Sequence, residues 1–342
     1  MALGREWFSR TVTLNGAWAE RETVLVAGAG GSIGSQLALR VARERPRTLV
    51  LVDRSEEPLS RTRGAVAEEL AFSRIVPIVA DVAEARSMRR IFELHRPSIV
   101  FHLAGYKHVP LSESNPVDAV RDNVLTSKVL ADAAVGVGAS SFVLASSDKA
   151  VHPSNVLGLT KALCEQMMVS YDRRFESRPR FVAVRLGNVL GSSGSVARIF
   201  SRQIADGGPL TVTDAEMSRY LITIPEAVTL LLEASNCTGR GGVFVADMGE
   251  PVKIVDLARH LIGVASSNDT PPLEIEYIGA REGEKLHEEL VASDERLTRT
   301  SHPRLFKVSR PKPDLLTLEE RLRELERLVS LDDGASVRRL LQ

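Results

Sequence analysis

The chain has 342 residues, with 44 Lys plus Arg against 44 Asp plus Glu. This length suits one large α/β unit or two interlocked domains, and the balanced charge removes the main electrostatic argument for nucleic acid or an anionic membrane surface as partner. No apolar run approaches the ~18 residues of a membrane span, and residues 1–22 lack the apolar centre of a signal peptide, so the expected address is cytoplasmic. The two cysteines, Cys164 and Cys237, lie far apart without metal-ligand spacing; free thiols in a reducing compartment are expected, and no metal site.

Short apolar, β-branched runs predict strands at Thr23–Ala27, Thr48–Val52, Ile75–Val79, Ile99–Leu103, Ser141–Ser146 and Phe181–Leu186, with helix-length segments between them. Strands apolar at nearly every position are covered on both faces, as in a parallel sheet. The expectation is α/β: a Rossmann-like doubly wound parallel sheet with a smaller, partly interleaved C-terminal substrate-binding domain. After Leu186 the rhythm loosens into Gly/Ser-rich loops, returns for a helix and strand across Glu226–Ala246, and loosens again. The expected division is an N-terminal arm at 1–22, an NAD(P)-binding domain at 23–186 plus about 222–247, and a nucleotide-sugar-binding domain at 187–221 and 248–342. Arg310-Pro-Lys-Pro313 reads as an extended connector, and Thr317–Val329 as a packing helix with a capping box at Thr317 and Glu320.

Directly after the first strand, Gly28-Ala29-Gly30-Gly31-Ser32-Ile33-Gly34 opens a helix. Missing β-carbons at Gly28, Gly31 and Gly34 permit the tight turn and let a pyrophosphate reach the amides of the helix N-terminus, at Ser32 and Ile33. Asp53 ends the second strand about 20 residues on, where a carboxylate takes the adenosine ribose hydroxyls. It disfavours a 2′-phosphate, while Arg54 would tolerate one, so NAD is expected ahead of NADP. Asp81-Val82, ending the third strand, belongs either at the adenine edge or to the cap of the next helix.

The fourth strand runs into His102-Leu-Ala-Gly-Tyr-Lys-His-Val-Pro110. Ala104 and Gly105 permit close approach of a cofactor, Lys107 faces the crevice with a charge suited to phosphate, and His102 reads as a core residue. Asn123 falls in a helix under the same crevice, where its amide either holds a water or carbonyl or merely decorates the helix surface. The next strand ends in Ser146-Ser147-Asp148-Lys149. An acid and two amines, Asp148, Lys149 and Lys161, lie within about a dozen residues, a set suited to proton removal and water elimination.

These strings, with Asn155-Val-Leu-Gly-Leu-Thr-Lys161, Arg185-Leu-Gly-Asn-Val-Leu-Gly191 and Arg281-Glu-Gly-Glu-Lys285, resemble the nucleotide-sugar 4,6-dehydratases of the extended short-chain dehydrogenase superfamily. More narrowly, the chain resembles the CapD-type polysaccharide-biosynthesis branch, whose members act mainly on UDP-N-acetylglucosamine. Leu3-Gly4-Arg5-Glu6 is similar to the segment that joins the catalytic domain to a membrane anchor in long members; no anchor is expected here. Leu157 stands where an ordinary short-chain dehydrogenase carries its catalytic tyrosine, and the branch often has methionine there. The resemblance implies a tightly bound, recycled NAD or NADP and three linked steps: C4 oxidation, water loss across C5 and C6, and hydride return to C6. It puts Lys149 as the base at C5, Asp148 as the acid at the C6 hydroxyl, and Lys161 at the nicotinamide ribose. Lys149 would act as a base only with a lowered pKa, for which Lys161 is the expected neighbouring cation, and Asp148 must be protonated. Ser146 and Ser147 are expected to bond the substrate hydroxyl, or else to cap the strand end.

In the second half, Asn188 and the amides of Gly194-Ser195-Val196 suit the substrate pyrophosphate, Arg219 and Arg281 its oxygens, and Glu284 a ribose hydroxyl. Leu210-Thr211-Val212 looks like the family's nucleobase strand, and the preference for UDP rests on the resemblance alone. Rival readings are a 4-epimerase, a dehydratase that stops after elimination, and a non-catalytic NAD-binding regulator. A homodimer or higher oligomer is expected, paired through helices at about 117–135 and 155–171. Leu159, Leu163, Gln166 and Met167 form its stripe, unless the N-terminal arm with Trp7, Phe8 and Trp18 covers it.

Overall fold

The structure, a computed structural model, describes residues 19–175, 178–237, 239–265, 273–310 and 314–342. The first half runs β1 (Thr23–Ala27), α1 (Ser32–Arg43), β2 (Thr48–Asp53), α2 (Glu56–Leu70), β3 (Ile75–Val79), α3 (Ala85–His95), β4 (Ile99–His102), α4 (Val109–Ser114), α5 (Pro116–Val120), a π turn (Arg121–Leu125), α6 (Thr126–Val137), β5 (Ser141–Ser147), a 3-10 turn (Asp148–Ala150), α7 (Val156–Arg174) and β6 (Arg180–Leu186). The second half runs β7 (Asn188–Leu190), α8 (Val196–Ala205), β8 (Leu210–Val212), β9 (Ser218–Arg219), β10 (Leu221–Thr223), α9 (Ile224–Asn236), β11 (Gly242–Ala246), β12 (Val252–Lys253), α10 (Ile254–Ala265), β13 (Ile275–Tyr277), β14 (Arg296–Arg299), β15 (Leu305–Ser309), α11 (Leu315–Ser330) and α12 (Gly334–Leu341).

A nine-stranded sheet with order β14-β15-β11-β6-β5-β4-β1-β2-β3 forms the frame. Its strands from β3 to β11 are parallel, with Val24 of β1 facing Leu49 on one side and Ile99 on the other. The pleat sends Leu25 and Ala27 into one core and Val24 and Val26 into another, so helices cover both faces. Each large apolar side chain so buried contributes about 1.5–3 kcal/mol. The chain order reverses between β1 and β4, and a crevice opens there beyond the strand ends. A smaller core of Phe200, Leu210, Met217 and Leu257 carries the elements facing that crevice.

Three expectations are revised. The tail does not stay with the smaller unit: β15 pairs antiparallel with β11, and β14 with β15, extending the large sheet over residues 296–309. The helix predicted at Thr317 starts at Leu315, because Asp314 is its cap; the Leu316 amide and the Thr317 hydroxyl both donate to the Asp314 carboxylate. The stripe on α7 is not left for a partner. Leu163 and Met167 are buried within the protomer while Leu159 and Gln166 are half-buried, and α11 and α12 pack on α5 and α7; Arg174 of α7 pairs with Glu319 of α11, and Arg338 of α12 with Glu113 of α4. The chain's own C-terminal helices thus cover much of the stripe. Residues 1–18, with Trp7, Phe8 and Trp18, and the connector residues 311–313 lie outside the described residues. Among the described residues no helix is long and apolar enough to cross a membrane.

Candidate active site

A cavity of about 810 Å³ opens at the switch point, between the glycine turn after β1, the ends of β4 and β5, and the segments 187–196 and 278–288. At Gly28 and Gly34 the glycine turn meets backbone where a side chain would begin. A β-carbon on Gly28, whose φ is +82°, would sit 2.6 Å from the Ala104 amide nitrogen, and one on Gly34 2.0 Å from the Gly28 oxygen. No side chain caps α1, so its first amides remain available to an anion. Asp53 accepts from the Gly30 amide at 2.8 Å and the Ser55 amide at 2.9 Å, which fixes its carboxylate at the end of β2. Arg54 is paired with Asp122 at 2.8 Å.

Asp81 accepts from the Ala83 amide at 2.9 Å and is paired with Arg121 at 2.6 Å, while Glu84 is the residue that caps α3 and Val82 is buried in the core. Asn123 is neither a surface residue nor free to reach a cofactor. Buried on the π turn, it accepts from the Tyr106 amide at 2.8 Å and donates to the Thr160 hydroxyl at 2.9 Å, tying the loop after β4 to α7. His102 is buried against the Ser127 hydroxyl, and burial pushes its pKa down to about 3, with Lys161 adding to the effect. Lys107, at the rim, donates to the Ser193 carbonyl, and the Ser193 amide donates to the Ser32 hydroxyl at 3.0 Å. The first glycine turn and the loop after β7 thus close on each other across the crevice.

The short turn after β5 carries the densest chemistry. Lys149 Nζ lies 3.0 Å from Asp148 Oδ1, 3.1 Å from Asn188 Oδ1 and 3.3 Å from Glu288 Oε1. The Ser147 hydroxyl donates to Asp148 Oδ1 at 2.9 Å, and Asp148 Oδ2 is buried without a protein partner. Tight helix packing sets this geometry: Asn155 caps α7 by accepting from the Gly158 amide, and a β-carbon on Gly158 would strike the Lys149 carbonyl at 2.3 Å. The expected lowering of the Lys149 pKa is corrected. Burial pulls it down, but Asp148 and Glu288 together outweigh burial and hold it above the usual lysine value. The cation that opposes them is Arg219, not Lys161.

Lys161 itself shows the opposite balance. Half-buried on α7 with its ammonium on the Ala145 carbonyl at 3.2 Å, it is pushed below the usual value by desolvation, which Cys164 and Glu165 offset only in part. Leu157, one turn earlier, is buried and borders the cavity. Ser146 borders the cavity as well, but its hydroxyl is turned away, donating to Glu165 at 2.8 Å. Glu165 belongs to a buried network with Arg185, Glu295 and Arg310. The Ser146 hydroxyl proton is thus committed to a link between β5 and that network.

On the far side of the cavity Ser195 caps α8 without a side-chain bond, and its hydroxyl is buried and unpartnered. Arg219, buried, donates to the Ser218 and Leu286 carbonyls, while Arg281 is exposed at the mouth. One carboxylate oxygen of Glu284 is buried without a partner. Thr211 borders the cavity with its amide already donating to Gln203 at 3.2 Å. Glu288 and Glu165 escaped the sequence reading. Glu165 had a signal, its four-residue spacing from Lys161 on one helix face, whereas nothing local marks Glu288.

A family described as polysaccharide biosynthesis protein matches residues 24–310. The capsular polysaccharide biosynthesis protein CapD of Staphylococcus aureus is 43% identical over 300 residues, covering 86% of this chain and 49% of the relative. The probable polysaccharide biosynthesis protein EpsC of Bacillus subtilis is 44% identical over 278 residues, covering 80% and 46%. The chain thus spans about half the length of these two relatives. A UDP-glucose 4-epimerase of Rickettsia rickettsii is 32% identical, covering 80% of this chain and 79% of the relative. Among solved structures, Pen from Bacillus thuringiensis superposes with a TM-score of 0.76 at 29% identity, covering 87% and 89%. With the Rossmann-type sheet and the glycine turn, these matches show that the chain belongs to the polysaccharide biosynthesis protein family, in the extended short-chain dehydrogenase group of nucleotide-sugar epimerases and dehydratases.

Proposed function

We propose that the chain catalyses 4,6-dehydration of a nucleotide-activated hexose, with UDP-N-acetylglucosamine as the favoured substrate and NAD as cofactor. One observation carries the reading: Lys149 Nζ and Asp148 Oδ1 share a hydrogen bond of 3.0 Å at the wall of the cavity, which a non-titrating Leu157 and a second lysine also line. The uncapped start of α1, the Gly28 cradle and the Asp53 carboxylate fit a dinucleotide, and the Arg54–Asp122 pair favours NAD by engaging the cation a 2′-phosphate would need. When bound, the nicotinamide supplies the acceptor for the C4 hydride and its return to C6.

The protein's own groups manage the protons. At rest the proton of this hydrogen bond sits on Lys149, whose pKa Asp148 and Glu288 hold above the usual lysine value despite burial. Its transfer along the existing hydrogen bond gives a neutral Lys149 and a protonated Asp148, the pair elimination requires, with no proton drawn from solvent. Lys149 then takes the C5 proton, Asp148 gives its proton to the departing C6 hydroxyl, and water leaves. Both groups are back in their starting forms; when hydride returns to C6, Lys149, whose ammonium protons exchange with solvent, would give one to C5, and the proton taken from the C4 hydroxyl would restore it. Lys161, with its depressed pKa, is suited to accept the C4 hydroxyl proton, which an absent tyrosine does not supply a route for. The α8 amides at Ser195 and Val196, with Arg219 and Arg281, suit the pyrophosphate, and the free oxygen of Glu284 suits a ribose hydroxyl.

Incubation with UDP-N-acetylglucosamine in heavy water tests this. The expected product is a 4-keto-6-deoxy sugar with deuterium at C5, seen by mass spectrometry and NMR. The epimerase reading, favoured by the Rickettsia relative's name, instead requires a product without loss of water, and that result would overturn the dehydratase.

A further inference from the structure

Outside the residues whose chemistry has been used, the strongest unexplained group is Glu288. It is buried at the cavity wall, with one oxygen 3.3 Å from Lys149 Nζ and the other buried without a protein partner. A lone buried carboxylate is costly, and a second one beside a lysine that already has Asp148 exceeds what pairing requires. The segment that carries it is strapped to the catalytic turn: Lys285 donates to the Val151 carbonyl at 2.7 Å, Asn155 to the Gly283 carbonyl at 2.8 Å, and His152 meets Glu289 at 3.2 Å. These bonds span more than a hundred residues of sequence, and they converge on the placement of one carboxylate against one amine.

We propose that Glu288 is a positioning residue for Lys149, holding its amine between three oxygens and setting the pH at which it gives up its proton. The inference rests on the dehydratase reading only for its catalytic consequence. The charged groups facing Lys149 are Asp148 from its own turn, Glu288 from the 281–288 segment and Arg219 from β9; Asn188 of β7 is neutral, and the Tyr220 phenol feels Asp148. With Arg219 opposing, the two carboxylates decide the balance. Removing Glu288's charge while keeping its shape leaves Lys149 with Asp148 alone, and its proton is lost at lower pH. Aspartate at the same place keeps the charge but not the reach.

Two measurements on the full chain separate this proposal from the function it rests on. Competitive acetylation of Lys149 by acetic anhydride, followed by peptide mass spectrometry across pH, reads the amine directly, with exposed Lys253 as the internal reference. Glu288→Gln should move the Lys149 midpoint down by about one pH unit or more, a tenfold change in proton affinity, and Glu288→Asp should move it less. The pH–rate profile for UDP-N-acetylglucosamine dehydration should shift its Lys149 limb in the same direction. A moved labelling midpoint with an unmoved rate limb supports the positioning role and sinks Lys149 as the base. An unmoved midpoint overturns the proposal. Should Glu288→Gln fail to fold, Glu288→Asp decides alone, since the longer contact must still lower the midpoint.

Discussion

Two lysines line one cavity, and the protein treats them in opposite ways. Lys149, on the turn after β5, is wrapped by Asp148, Glu288 and Asn188 and holds its proton more tightly than a free lysine. Lys161, on α7, is as deeply buried but rests on a backbone carbonyl, and desolvation loosens its proton. Burial alone therefore does not decide the charge of an amine; the difference lies in whether distant parts of the chain deliver carboxylates to it. Under the proposed dehydration, the lysine with the tight proton has a carboxylate to hand it to, and the loosened one is the group offered to the C4 hydroxyl proton.

The largest test of this contrast is Lys149→Met. Dehydration should fall ~10²–10⁴-fold, the usual loss for a positioned base, while slow C4 hydride transfer persists as reduced nicotinamide absorbance. A variant keeping more than about a tenth of the rate would place the base elsewhere. Next, Glu165→Leu removes one carboxylate from the buried network below Ser146 and Lys161, leaving Arg185 and Arg310 to share Glu295. We expect about 3–5 kcal/mol lost in denaturant unfolding, because an uncompensated charge remains buried.

The pH dependence of stability sharpens the contrast further. The folded-state pKa of Lys161 lies below its unfolded value, so between the two the unfolded chain binds more protons and stability rises with pH up to about 10.4. Lys149 is the reverse: its folded pKa is raised, so its contribution is fully present below about 10.4 and lost as pH climbs through the folded value. Unfolding free energies measured from pH 7 to 10 should therefore flatten in Lys161→Met and keep their slope in Lys149→Met. Equal slopes in both would mean that Lys161 is not held in a loosened state. The smallest expected effect is that of Leu157→Tyr. Adding a ring to a buried position should cost about 1–3 kcal/mol and give little or no gain in turnover. A large gain would mean that Lys161 cannot manage the C4 hydroxyl without a phenol.

The sequence by itself determined the large sheet, its two-faced cores and the glycine turn, because each follows from local spacing: alternating apolar runs, a turn that forbids β-carbons, an acid at the end of the next strand. It also brought Asp148, Lys149, Leu157 and Lys161 to one place, since a strand end and the first turns of the following helix cannot be far apart. Tertiary structure decided what those groups are. Which carboxylate faces Lys149, where the Ser146 hydroxyl turns, what occupies the Asn123 amide and what covers the α7 stripe all depend on partners tens to more than a hundred residues away. Charge and proton affinity follow from the summed field of those partners and from burial, and neither is a property of a motif.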